Sequence, residues 1–407
     1  MWFRGICSLI AALFRWPSLA YFQGDLRNNG QMTADTSDQA PTLAMFRALL
    51  GENKNWLDFA SFMHHALYDS KFGYYTGDAY KFGSRGDFIT APEISGLFGR
   101  TIARQVAQVL QISGGGVLEL GGGSGILGSD ILVELNRLEC PIQEYLLFEP
   151  SPSLTQRQKE CVAQLPPAIG AKVRWVSELP TNFKGVILAN EVFDALPVHL
   201  LSRNDEGWKE RGVIFENESL VWRDKSIEDE RLSSAVNHLN VDAPYVTEVC
   251  LAANGLVANL SESLDVGAVL AIDYGYEHQV YYHPDRRDGT LSCHYQHRVD
   301  SDPLDNPGLK DITAHVDFTR VANAGMDAGL EVSGYVTQAD FLVNCGITDL
   351  LQAIDPDRLE EYLPAVSAVQ KLLSPAIMGD MFKVMSLSRG IDEPLVGFSR
   401  RDRRHVL

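Results

Sequence analysis

The sequence predicts an α/β fold around a Rossmann-like parallel sheet, and three observations carry that prediction. An apolar run, VLEL (117–120), leads directly into the glycine cluster GGGSG, the kind of strand–loop–helix junction at which α/β folds hold nucleotide-like cofactors. Apolar runs of strand length then alternate with segments of helical periodicity, as in EYLLFEP (144–150), KVRWVS (172–177) and KGVILAN (184–190); this is the rhythm of parallel β–α units. Acids stand where two of these runs end, at Glu149 and Glu191, and ligands of open α/β sheets bind beyond the carboxyl ends of the strands.

Taken in order, residues 1–41 read as a leader and flexible arm. MWFRGICSLIAALFRWPSLA has Arg4, an apolar run from Gly5 to Phe14 and a Ser18-Leu19-Ala20 stretch resembling a cleavage site, but Arg15 interrupts the order of a signal peptide. No acid precedes Asp25, which suits a mitochondrial presequence as well, and the run is too short to span a bilayer. The favoured reading is a dispensable extension with the functional start near Met32. The compartment is then the cytoplasm for a bacterial chain, with the mitochondrial matrix as the alternative. Six scattered cysteines without a C-x-x-C pair fit reduced thiols in either place.

Residues 42–112 form an N-terminal helical and loop segment. Leu57, Phe59, Ala60, Met63 and Leu67 recur at helical spacing. A glycine- and aromatic-rich loop follows, and a helix runs from Ser95 to about Leu110. Residues 113–200 are the cofactor-binding half of the core. Residues 201–247 break the rhythm: GWKERGVIFENESLVWRD (207–224) alternates on both sides of ENES, as an inserted β-hairpin would. Residues 248–390 resume the core with a helix (249–264), the strand AVLAIDYGY, a polar and aromatic stretch (277–316), a helix from Phe318, the strand LEVSGYV, helices over 338–378 and a last strand, MFKVMSLSR. Residues 391–407 are a basic tail with Arg400, Arg401, Arg403 and Arg404, expected to be solvated and without a role.

The net charge of -18 disfavours a nucleic-acid partner, whose phosphates demand clustered Lys and Arg. A basic substrate is compatible with it. Loop position decides between two cofactors. In a dinucleotide site the third glycine, counted from the strand end, falls at residue 126, which is Ile126; G-S-G-I-L-G, from Gly123 to Gly128, does satisfy the dinucleotide spacing but puts two extra residues in the turn. Gly121, Gly123 and Gly125 instead give E-L-G-x-G-x-G without a shift, a backbone turn that passes closely beneath S-adenosylmethionine. Glu119 then offers a carboxylate to the methionine end, directly or through water. Glu149 is placed to accept the ribose hydroxyls, which either cofactor would provide.

VILANEVFDALPVHL (186–200) ends its strand in Asn190, Glu191 and Asp194. It lacks the N-P-P-[YF] of enzymes that stack a flipped base, again disfavouring nucleic acid. Acids here suit a cationic acceptor, and a guanidinium pairs with carboxylates in two-point fashion. Glu191 is the first candidate to orient the acceptor and take its proton, and Asp194 the second; a helical turn over EVFD would put both on one side. The competing reading makes Asp194 a helix cap and Glu191 a solvated acid.

Together, FGYYTGDAYKFGSRGDFITAPEISGLFG, ELGGGSG, NEVFDALPV, CHYQHR and DITAHVDFT, in this order, resemble the MidA family of S-adenosylmethionine-dependent methyltransferases, which includes mitochondrial complex I assembly methyltransferases. The resemblance covers about residues 42–390 and implies a seven-stranded, class I methyltransferase fold. For mitochondrial members it implies symmetric dimethylation of arginine on a complex I subunit. It also implies that Gly121, Gly123, Gly125 and Glu149 hold the cofactor under a loop containing Gly86, Asp87, Thr90, Pro92 and Glu93. Glu93 reaching the site competes with an ordinary helix entry after Pro92. Cys293, His294 and His297 are too sparse a set for zinc, so no metal is expected. Tyr295, His297, His315 and Asp317 are candidates to line the acceptor channel or to pair structurally. Asp273, ending AVLAID, is either a crevice acid or a turn cap. Three rival functions stay open: a small-molecule methyltransferase, a non-catalytic S-adenosylmethionine-binding assembly chaperone and, least favoured, a dehydrogenase.

Overall fold

The strand Gly116–Leu120 is buried along its whole length, and it organises the larger of two units. A computed structural model describes residues 39–76, 90–295 and 298–407. One unit gathers Met1–Gly77, Leu196–Gly255 and Tyr282–Ala314; the other gathers Asp78–Ala195, Leu256–Tyr281 and His315–Leu407.

The second unit holds a mixed eight-stranded sheet. Seven strands lie in one row: Glu331–Thr337, Phe382–Arg389, Leu264–Tyr276, Phe183–Asn190, Gly116–Leu120, Tyr145–Phe148 and Val173–Val176. The two-residue strand Val316–Asp317 pairs off this row with the end of Leu264–Tyr276. The five strands from Leu264–Tyr276 to Val173–Val176 run parallel, while Phe382–Arg389 is antiparallel to both neighbours. Chain order reverses at Gly116–Leu120, flanked by the next strand on one side and a later one on the other. Such switch points open a crevice at the carboxyl ends. Phe98, Ile102, Val106 and Val109 of the helix Gly96–Ser113 bury against the sheet with Val186, Leu188 and Ile272.

The first unit is built on a five-stranded sheet ordered Leu57–Asp58, Gly207–Glu216, His199–Asn204 and Tyr245–Val249, with Ser219–Lys225 added on Gly207–Glu216. The expected hairpin is present. Asn217 and Glu218 turn it with φ of 50° and 62°, the left-handed pair that matches strand twist in two-residue loops. It is not an isolated insertion over 201–247, because the flanking strands and the N-terminal Leu57–Asp58 complete its sheet. The polar stretch contributes a second sheet, Arg298–Asp300, Ser292–Tyr295 and Asp311–Thr313.

Two expectations need correction. The N-terminal helical pattern is broken into Gln39–Glu52 and Phe59–Tyr68, since Lys54 and Asn55 both take positive φ and Asp58 caps the second helix by accepting from Ser61 N. The basic tail is not merely solvated. Leu395 and Phe398 are buried, the Phe398 ring meets Phe341 at 5.5 Å, and Gly397 N donates to Gln105 Oε1 at 2.8 Å. Arg401 pairs with Asp340 at 3.0 Å. Among the described residues, no helix is long and apolar enough to cross a membrane.

Candidate active site

At the carboxyl end of Gly116–Leu120, the chain turns through Gly121, Gly123 and Gly125 with φ of 60°, 52° and 85°. Side chains disfavour this left-handed region. A Cβ on Gly123 would meet nothing within 4 Å, so the loop presents bare backbone on that side, as close approach of a ligand requires. Gly125 caps the helix Ile126–Arg137. Gly128 follows one turn later, where a Cβ would lie 2.7 Å from Glu119 Oε2 and 3.0 Å from the Tyr145 ring. It therefore does the helix–strand packing assigned to the last glycine of the dinucleotide pattern, although the cradle itself uses the three earlier glycines.

Glu119 lies beneath the glycine loop. It is 2% exposed, accepts a hydrogen bond from Tyr145 Oη at 2.8 Å, and burial pushes its carboxyl up to about 7. So enclosed, it packs between the strand and the helix, with Gly128 closing over its Oε2.

Glu149, at the end of the neighbouring strand, is held at both oxygens: Oε1 accepts from Ser151 N at 2.9 Å and Oε2 from Gln158 Nε2 at 3.0 Å. Gln158, which the sequence reading did not single out, also donates to Gly123 O at 3.1 Å. The sequence carries no signal for it, since Gln156, Arg157, Lys159 and Glu160 around it are polar as well. Thr90 and Pro92 open the short helix Ala91–Ile94, and Glu93 from that helix accepts from Ser124 Oγ at 2.5 Å. Glu93 thus reaches the glycine loop. Gly86 and Asp87 lie outside the described residues.

Asn190 ends its strand, and the next five residues form an irregular turn, not the helical turn that would align Glu191 with Asp194. The turn lies against the glycine loop: a Cβ at Gly121 would come within 3.6 Å of Val192 Cγ2. Glu191 takes φ of 53°, its N–H donates to Ile272 O at 2.9 Å, and Asn190 Nδ2 donates to its Oε1 at 3.2 Å. Asp273 explains the shape. Its Oδ2 accepts from the backbone N of Val192, Phe193 and Asp194 at 3.2, 2.9 and 3.2 Å. Asp273 is fully buried, so of the two readings the turn brace holds and the crevice acid does not. Burial raises its pKa, as do the Asp194 and Glu191 carboxylates beside it. Burial likewise pushes Asp194 up to about 6, opposed by a hydrogen bond from the Tyr274 side chain. Asn190 Oδ1 and Asp194 Oδ1 both lack a partner.

The remaining candidates separate. His315 sits edge-on to Tyr274 and Tyr276, at 5.1 and 5.2 Å between ring centroids, so Tyr274 links it to Asp194. Asp317 caps the helix Phe318–Asp327 through Arg320 N and lies 3.9 Å from His278 Nδ1, the structural role among its two readings. Tyr295 belongs to the three-stranded sheet of the other unit, and His297 lies outside the described residues. Also in that unit, Asp58, His199 and Glu210 form a set close enough to hold a cation. Their atoms are already engaged, His199 Nδ1 with Glu210 Oε1 at 2.9 Å and both Asp58 oxygens with Ser61.

Comparison with known proteins identifies the family of the chain. The chain is 42% identical to a Burkholderia thailandensis protein whose crystal structure is bound to S-adenosyl-homocysteine, with a TM-score of 0.89 over 93% of this chain and 100% of that one. It is 30% identical over 365 residues to the protein arginine methyltransferase NDUFAF7, mitochondrial, of Danio rerio, covering 81% of this chain and 83% of the relative. The Drosophila melanogaster homologue is also 30% identical, over 84% of each chain. Residues 101–336 match the Methyltransf_28 family, and with the glycine cradle and the strand-end acids in place, the chain belongs to this family of S-adenosyl-L-methionine-dependent methyltransferases.

Proposed function

We propose that this chain methylates an arginine side chain of a protein. The observation that carries the reading is the packing of the acid turn on the glycine loop, Gly121 against Val192, which sets Glu191 beside the cofactor cradle. S-adenosylmethionine supplies an electrophilic methyl group there. The turn supplies acceptors in surplus, from Glu191, Asp194 and the partnerless Asn190 Oδ1, and a guanidinium is all donors. Glu191 orients that guanidinium, draws its charge away from the attacking nitrogen and takes the proton lost as the new N–C bond forms. Asp194, ionised above about pH 6, adds a second negative charge within the turn.

The relatives named protein arginine methyltransferase support the same acceptor class, and a complex I subunit, which the family resemblance implies for mitochondrial members, is the first acceptor to try. On this reading the seven-strand row is the family's seven-stranded core. The compartment follows the source cell: cytoplasm in a bacterium, mitochondrial matrix otherwise.

The test is incubation with methyl-labelled S-adenosylmethionine and lysate from cells lacking the protein, followed by hydrolysis of the protein fraction. Label is expected in dimethylarginine, and Glu191→Gln should reduce it by about 100-fold or more. Label confined to small molecules, or to a residue other than arginine, refutes the assignment.

A further inference from the structure

Gln158 is the side chain at which the glycine loop and the strand-end acid meet. It is fully buried in the helix Pro152–Val162, where a polar side chain needs every bond it can make. Its Nε2 donates to Gly123 O at 3.1 Å and to Glu149 Oε2 at 3.0 Å. Its Oε1 accepts from Trp175 Nε1 at 2.9 Å. An indole N–H only donates, so Trp175 fixes which end of the amide is oxygen and turns the NH2 toward its two acceptors. The backbone is equally close: a Cβ on Gly125 would lie 3.1 Å from Gln158 Cα. Three successive elements of the sheet are thereby tied through one amide, the loop after Gly116–Leu120, the acid after Tyr145–Phe148 and Trp175 of Val173–Val176.

We propose that Gln158 is a positioning residue for the cofactor ribose, locking the Glu149 carboxylate to the glycine loop so that recognition of the ribose diol depends on a residue that does not touch it. This rests on Glu149 as the acceptor of the ribose hydroxyls. Ser151 N and Gln158 Nε2, one on each oxygen, hold the carboxylate plane still. Without the amide the carboxylate keeps its charge but loses its set orientation, and a pair of directed hydrogen bonds suffers more than general attraction does.

The test is calorimetric binding of S-adenosylhomocysteine and of its 2′,3′-dideoxy analogue to the full-length wild type, Gln158→Leu, Trp175→Phe and Glu149→Gln. Gln158→Leu should weaken the parent ligand by about tenfold while moving the dideoxy analogue by no more than about twofold. Glu149→Gln should discriminate in the same sense. Trp175→Phe, which keeps both donor bonds but frees the amide to turn over, should shift the ratio by roughly threefold, and it serves where Gln158→Leu does not fold. Equal weakening of both ligands by the Gln158 and Trp175 variants, with discrimination retained by Glu149→Gln, overturns the role given to Gln158. Absence of discrimination in Glu149→Gln overturns the assignment of Glu149 instead, and the proposal falls with it.

Discussion

Glu191 holds a backbone conformation that side chains avoid, with φ of 53°. A non-glycine residue there costs about 1 kcal/mol or more and persists only where its surroundings impose it. Here they do, through its own N–H on Ile272 O and the three following N–H groups converging on Asp273. Strain kept at a carboxylate beside the cofactor loop points to function, and it gives a prediction that separates the two residues. Glu191→Gly should leave the melting temperature unchanged or higher while methyl transfer drops to background; a fall of several degrees would make Glu191 structural. Asp273→Asn should instead lower stability by about 1–3 kcal/mol in denaturant titrations, because Oδ2 accepts from three backbone N–H groups and Oδ1 from Tyr274 N, and an amide must turn its own donor against one of these sets. Both acids could be read from the sequence as strand-end carboxylates. Which one faces a ligand and which a neighbour's backbone could not, since Asp273 meets Val192 only across some eighty residues of chain. Glu119 is the same case, its partner Tyr145 lying on the next strand.

The strand–loop–helix element was the most legible part of the molecule, because glycine spacing reports backbone conformation directly. Its ambiguity has a physical origin. Gly121, Gly123 and Gly125 meet the need for positive φ, whereas Gly128 meets a need for closeness, leaving room for Glu119 and Tyr145 beneath the helix. One string of glycines thus carries two patterns at once. Gly128→Ala should cost about 1–3 kcal/mol by overpacking, read as a lower denaturant midpoint. An unchanged midpoint would mean that the helix lifts off without loss and that its seating does not set the cradle. The tail is hard to read from sequence for the opposite reason. Four arginines dominate its composition, and its apolar residues Ile391, Leu395, Val396 and Phe398 span too short a stretch to register as a periodic element. Yet Ile391, Leu395 and Phe398 bury in the core, and Gln105 and Asn344 take up the intervening backbone at Gly397.

At the scale of the molecule, the chain enters its first unit three times, and no local pattern announces that Leu57–Asp58 will pair with Gly212 and Val213. Two sets of buried groups, one in each unit, titrate in opposite senses, although burial also raises Glu248 in the first unit and lowers Lys383 in the second. In the first, burial lowers His64 to about 4 and also lowers His65. An unfolded chain takes up those protons first, so stability present above about pH 6.5 is lost as pH falls toward 4. In the second, burial raises Glu119 to about 7 and Asp130 and Asp194 to about 6. Their contribution is complete below about pH 4 and is lost as pH rises through 6 to 7. Between pH 5 and 7.5 the two sets therefore change stability with opposite sign. Hydrogen exchange, corrected for its intrinsic pH dependence, distinguishes the units. Over that range protection should rise in Phe59–Tyr68 and fall in Gly116–Leu120, and Glu119→Gln should flatten the second trend while sparing the first. If protection in the two segments moves together, the molecule opens as one cooperative body and the division into units carries no separate stability. If it diverges, the sheet that carries the cofactor cradle is the part that loosens above neutral pH, and binding of S-adenosylhomocysteine there should restore its protection in proportion to ligand concentration.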